Sequence, residues 1–391
     1  IAAASLFCLI FMLSASSLAT TLGYEGKERY VQWLSLTIAL DTVVAIPFAR
    51  LRFLNEAKKF ALIKLANIGI NIIMNLYLLY FVQKSVENVF LANLIASMAT
   101  LVLLVQSFKN YELIYDNHLV RQLLNYSFPI MLMGLAGMTN EVIDRIMLKY
   151  WSPSHLSENE RLTQLGIYGA CYKLSIFMSI AIQSFRYGAE AFFFAESKEK
   201  DAPSTYAMVM HWFVIVCLLI FVGVSLNLDT IKFILRNKEF HKGLAVVPVL
   251  LMANLFLGIY YNLSVWFKLS DKTYWGLWLN LFGAVVTIIG NIILMPKYGY
   301  IAAAWVTLTC YGSMAALSYG LGQKYFPVPY NVTKICVYIT LTFVFTYMVN
   351  KFVSGNYFYK FFFKNIFLAA FVYLLYKLEL YKLKTIIKFK K

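Results

Sequence analysis

Asn140-Glu141-Val142-Ile143-Asp144-Arg145 sits inside an apolar stretch covering residues 128–148. Three ionisable groups within five residues could bind an ion, hold a charged cargo or neutralise one another. A charge at bilayer depth costs about 3 kcal/mol on insertion scales, so it persists only where it faces protein or a water-filled path. Glu141 and Arg145 are four apart, as are Asn140 and Asp144, so a helix sets the group on roughly one side, turned from lipid.

Other polar side chains recur within apolar runs. Lys64 opens a stripe at helical spacing with Asn67, Asn71 and Asn75, which suits either a wet cavity wall or hydrogen bonds between helices. Lys173 has no acid close in sequence, whereas Arg145 has Glu141 and Asp144 within reach. A cation lining a cavity attracts phosphate or acidic sugar, and arginine offers a bidentate fork; the same Arg145 could simply neutralise its neighbours. Gln183, Arg186 and Glu190 form a further stripe near a span end, as a gate, a headgroup contact or snorkelling side chains. Arg50, Arg52, Lys58 and Lys59 cluster in a loop, either as a topology signal or as a landing patch for a lipid pyrophosphate. Asp41 lies mid-span before Pro47, where a broken helix would free backbone carbonyls. Tyr168, Tyr172, Tyr187, Tyr260 and Tyr261 could stack on sugar rings, although membrane-interface belts account for most tyrosines of such chains.

The elements that carry these residues must be membrane helices. The chain is 61% hydrophobic and 14% charged, with a mean hydropathy of +0.67, outside the range of soluble domains. Twelve apolar runs of span length recur between short charged loops, so the fold class is an all-α polytopic membrane protein. The net charge of +16 lies in loops and in a tail instead of on one soluble face, which excludes a nucleic-acid partner. Residues 377–391 carry six lysines against one glutamate and place the C-terminus in the cytoplasm. The five cysteines show no ligand spacing and read as small buried residues; His118, His155, His211 and His241 fall in or near loops without metal spacing.

An internal repeat organises the spans. A shift of 216 residues lays Lys64, Asn67, Asn71 and Asn75 on Asn280, Gly283, Thr287 and Asn291, and carries Arg52 onto Lys268 and Asn55 onto Asp271. The third span then pairs with the ninth, leaving the fifth and sixth without partners. Two helices with their loops, about 80 to 90 residues, are therefore expected ahead of Ile1, for fourteen spans in all.

This six-plus-six-plus-two layout resembles the polysaccharide transporters of the multidrug/oligosaccharidyl-lipid/polysaccharide exporter superfamily, the flippases of O-antigen, capsule and related glycans. The likeness is carried by Ala45-Ile46-Pro47-Phe48-Ala49-Arg50-Leu51-Arg52, by residues 140–149, by Leu165-Gly166-Ile167-Tyr168-Gly169-Ala170-Cys171-Tyr172-Lys173, and by residues 291–299 with their Pro296-Lys297-Tyr298-Gly299 turn. It implies a MATE-like two-lobe bundle: a first lobe at 1–121, a second at 122–325, and two extra helices with a basic tail at 326–391. It implies a transporter and not an enzyme, without cofactor or resident metal, in the bacterial cytoplasmic membrane. Its partners would be membrane lipids and its cargo, an oligosaccharide on a polyprenyl pyrophosphate, with glycan polymerase or ligase components as associates. Unaided passage of that sugar through hydrocarbon is prohibitive, because each unpaired hydroxyl costs several kcal/mol. Arg145, Lys173, Lys64, Asn67, Asn71 and Arg186 are then the cavity candidates. Asp144, Glu141, Asn280, Thr287, Asn291 and Thr307 are candidates for a Na+ or H+ coupling site, and Arg50 and Arg52 for the headgroup patch. Competing readings are a drug/cation antiporter of the same superfamily, whose cavity would be acid-lined, and a membrane enzyme of the glycan pathway. The loops offer such an enzyme no paired carboxylates.

Overall fold

The computed structural model describes residues 2–54, 56–108, 116–153, 155–199, 201–235, 237–270 and 272–380. Asn55, Asp271, the side chains of Tyr187 and Glu190, and the tail beyond residue 380 lie outside the described residues. The regular elements described are all helices, and they fall into two compact units, Ile1–Asp116 and Asn117–Lys391.

The first unit holds α1 (Ala2–Leu13), α2 (Ala15–Thr21), α3 (Glu28–Phe53), α4 (Ala57–Tyr77, extended by a π-helical turn Leu78–Val82) and α5 (Val86–Phe108). α1 and α2 meet at a bend of 65°. Val44, Phe48, Leu51, Ile63 and Leu104 form the core where α3, α4 and α5 meet. α3 runs unbroken through Pro47, so the expected break beside Asp41 is absent. Instead the Ser97 hydroxyl on α5 donates to Asp41 at 2.7 Å.

The second unit begins with α6 (Asn117–Trp151), α7 (Glu158–Leu174) and α8 (Ile176–Glu196). Ser157 and Glu160 start α7 with a reciprocal capping box. After α9 (Ala202–Leu226) and the short α10 (Leu228–Ile231) come α11 (Val247–Leu263), α12 (Val265–Leu269), α13 (Tyr274–Tyr298) and α14 (Tyr300–Tyr325). The chain reverses from α13 to α14 at Gly299, whose φ of +56° is left-handed and favours glycine there. α15 (Val332–Phe352) and α16 (Tyr357–Leu375) then pack on α9. His211, expected near a loop, lies within α9, 2.9 Å from Glu379, which also pairs with Lys334 at 2.6 Å.

Among the described residues, nine helices are long and apolar enough to cross a membrane, or eleven if each of two bent pairs is one span. Twelve were expected, and with each bent pair taken as one span the difference is α6, which is 35 residues long but interrupted by its polar insert. The 216-residue offset persists. α3 and α12 end at Phe53 and Leu269, while the α4 segment and α13 end at Val82 and Tyr298. In the first unit α3 packs on α5 and α5 on α4; in the second α11 packs on α14 and α14 on α13. All five cysteines are free; Cys171, Cys217 and Cys310 are buried as expected, but Cys336 is exposed.

Candidate functional site

The polar insert of α6 divides. Asn140 and Asp144 are 2% and 1% exposed, whereas Glu141 is exposed and Arg145 half-buried. Neighbouring residues step about 100° around a helix, so the two i,i+4 rows look in different directions. Asn140 and Asp144 enter the interior of the second unit, Glu141 borders a cleft and Arg145 turns to Tyr172, correcting the single face expected.

The inner row joins a buried polar cluster. Gly283 lets α6 approach α13 closely, since a Cβ there would lie 2.7 Å from Asn140 Nδ2. That amide donates to the Asn280 backbone carbonyl at 3.1 Å. Met133 faces Gly276, Gly137 faces Asn280 and Asn140 faces Gly283. One further turn of this register brings Asp144 level with Thr287. Asp144 Oδ1 accepts the Arg145 backbone N–H at 2.7 Å, and Oδ2 accepts the hydroxyl of fully buried Tyr168. That hydroxyl lies beside Thr307, which itself donates to the Ala303 carbonyl at 2.8 Å. Asn140 Oδ1, Thr287 Oγ1 and both amide atoms of Asn291 are buried without a hydrogen-bond partner.

Each orphaned polar atom costs about 1–3 kcal/mol, so a ligand that satisfies several at once is bound favourably. Three neutral oxygens and one carboxylate suit a hard cation. Among the described residues no three His, Cys, Asp or Glu converge as a transition-metal site would require. A hard cation bound there would be held by Asn140, Asp144, Thr287 and Asn291.

Glu141 borders a cleft of about 390 Å³ between α6, α8, the α11–α12 junction and α13. Glu141, Arg186 and Lys268 are its charged side chains, and Asn280, Tyr260 and Tyr261 contribute polar groups. The Arg186 guanidinium lies 4.2 Å over the Tyr261 ring, with Nη1 3.5 Å from Gln183 Oε1. Asn280 Nδ2 donates to the Tyr260 hydroxyl at 2.9 Å. A break after Leu263 turns the chain so that Phe267 and Lys268 reach the cleft, the Ser264 hydroxyl donating to the Tyr261 carbonyl at 2.6 Å. Cations over and beside aromatic faces suit an anionic group attached to flat, hydroxyl-bearing rings.

The remaining candidates lie elsewhere. Arg145 stacks 4.3 Å over Tyr172 and Lys173 is exposed in the last turn of α7; neither lines the cleft. In the first unit Lys64 Nζ lies 4.4 Å over Phe48. Asn67 donates to Thr100 at 2.8 Å and Asn71 to Asn93 at 2.6 Å, so both tie α4 to α5. Arg50 reaches the Ser107 carbonyl at 3.4 Å, and Arg52 lies 5.9 Å from the Phe60 ring. Lys268 was visible in the sequence only as the repeat partner of Arg52. Tyr168 was expected among the sugar-stacking rings; it is fully buried and donates to Asp144 instead.

Residues 1–185 match the family model described as polysaccharide biosynthesis protein. No curated protein matches in sequence. Among solved structures, a MATE transporter in the straight conformation is similar at TM-score 0.66 and 12% identity, over 86% of this chain and 76% of that one. The lipid II flippase MurJ, inward closed, is similar at 0.62 and 16%, over 95% and 82%. An outward-facing MATE family transporter of the MOP superfamily is similar at 0.63 and 12%, over 86% and 76%. The chain thus has the all-α polytopic fold of these exporters, and the resemblance read from its sequence is borne out at that level.

Proposed function

We propose, on the premise of this fold and of the polysaccharide biosynthesis match, that the protein is a flippase. It moves a polyprenyl-pyrophosphate-linked oligosaccharide across the cytoplasmic membrane by alternating access, in cell-surface polysaccharide synthesis. Its two lobes are the residues before and after the start of α6, and its C-terminus is cytoplasmic. No bond is made or broken. The cleft receives the pyrophosphate and the first sugars, Arg186 and Lys268 supplying positive charge and Tyr260 and Tyr261 ring faces. The buried cluster around Asp144 takes the coupling cation, and α6 connects the two, since Asn140 and Glu141 are adjacent on it.

The observation that carries this reading is Arg186 stacked on Tyr261 in a cleft lined by the helices of the second unit. Arg186→Ala is expected to reduce surface glycan at unchanged protein level, while Arg145→Ala combined with Lys173→Ala reduces it less. Full export by Arg186→Ala would remove the cleft from the transport path. A second reading, a drug/cation antiporter, draws on the MATE neighbours and on Glu141, the one carboxylate among the described residues of the cleft. Efflux of a lipophilic cation that is lost in Glu141→Gln, without any glycan phenotype, would favour it.

A further inference from the structure

A second cavity, of about 310 Å³, lies between α8 and α9 in the same unit. Ala181 and Phe185 line it from α8, and Met208, Val209, Trp212 and Val216 from α9. Among the described residues no charged side chain borders it. Phe185 also lines the polar cleft, so one aromatic ring forms the partition between the two spaces. Its centroid is 4.5 Å from that of Phe213, which lines the same groove. Met208 and Val216 are 52% and 49% exposed, so the groove is open along its outer rim.

We infer that this groove holds the prenyl chain of the lipid-linked cargo while the headgroup occupies the cleft; the inference rests on the flippase reading above. The two cavities divide by chemistry as an amphiphile does. One offers Arg186, Lys268 and Asn280, the other only hydrocarbon, aromatic and sulfur surface. A chain left in apolar surroundings keeps about 0.8 kcal/mol per methylene that exposure to the polar cleft would forfeit. Phe185 borders both spaces, and the next residue on α8 is Arg186, which lines the cleft. A chain lying in the groove against Phe185 thus brings its phosphate end toward the guanidinium. Met208 and Trp212 supply a pliable and a broad apolar wall for a branched chain.

The test uses the full chain in vesicles with one sugar pyrophosphate on two carriers, a long polyprenyl and one of two or three isoprene units. Ala181→Trp and Val209→Trp fill the groove from opposite sides. Each is expected to slow the long carrier by at least about tenfold and to leave the short carrier within about twofold of the parent rate. A photoreactive group on the long chain is expected to label peptides of α8 and α9 above those of α13. Flipping of the long carrier at the parent rate by both variants would overturn the inference, as would equal slowing of both carriers. Equal labelling of α8 and α9 by a photoreactive phospholipid would do the same, by assigning the groove to ordinary lipid. If the unsubstituted protein moves neither carrier, the flippase reading itself has failed.

Discussion

The Tyr168 hydroxyl donates to Oδ2 of Asp144, while the Arg145 backbone N–H holds Oδ1. Both carboxylate oxygens are thus fixed in direction and each keeps a further lone pair, facing a neighbourhood where Asn140, Thr287 and Asn291 have unpaired oxygens. The Arg145 guanidinium lies over Tyr172 instead of closing off the Asp144 carboxylate.

Removing that carboxylate separates binding from coupling. Asp144→Asn is expected to leave cargo binding intact and to abolish the response of transport to a sodium or proton gradient. Tyr168→Phe deletes a hydrogen bond to a charged group, worth about 1.5–3 kcal/mol, and should shift the cation dependence by about tenfold or more. Initial rates measured against cation concentration check both; an unchanged cation response in Asp144→Asn would exclude the site.

The contact between α6 and α13 depends on a missing side chain. Gly283→Ala would place a methyl 2.7 Å from Asn140 Nδ2 and against Met314, and is expected to cost about 1–3 kcal/mol. Gly134→Ala on the same α6 meets nothing within 4 Å and should be neutral or stabilising. Melting of the two purified variants in detergent compares them directly.

The final helix is fastened to the end of α9. Lys364 of α16 is buried and lies 2.9 Å from Asp229 on α10, and Asn365 Nδ2 donates to Asn227 at 3.1 Å. Partial burial pushes the Asp229 carboxyl up, but the Lys364 hydrogen bond and the charges of Lys364, Lys360 and Lys232 outweigh it and hold it below its ordinary 3.8. A carboxylate lowered on folding stabilises fully above its unfolded pKa and loses that contribution as pH falls through the lower folded value. Stability from this pair is therefore flat from pH 7 to about 5 and declines below about 4. Lys364→Met should be less stable at pH 7 and show a shallower acid decline in melting experiments; an acid limb equal to the parent's would contradict the assignment.

The sequence showed that α6 carries a polar insert within a span, because charge in grease is conspicuous at any spacing. It did not show which i,i+4 row turns inward, since that follows from where α13 approaches, and Gly283 decides it. The asparagines of α4 were legible as a stripe, yet only the opposing Asn93 and Thr100 of α5 reveal that their amides are spent between helices. Lys173 read as a lone cation in an apolar run, and Arg186 as part of a stripe near a span end, yet both were cavity candidates. They part because the chain bends by 51° between α7 and α8, leaving Lys173 at the end of α7 and Arg186 over Tyr261. Glu379 and His211 were read as tail and loop because they lie close to span ends, and their pairing depends on α16 returning along α9.

The central claim is tested most directly by reconstituting the purified chain in vesicles with a fluorescent polyprenyl-pyrophosphate glycan and following its transfer between leaflets by an impermeant quencher. The account predicts transfer faster than in protein-free vesicles, driven by a sodium or proton gradient and lost in Arg186→Ala and Asp144→Asn. Transfer no faster than in protein-free vesicles, under either gradient and with the protein folded, would contradict it.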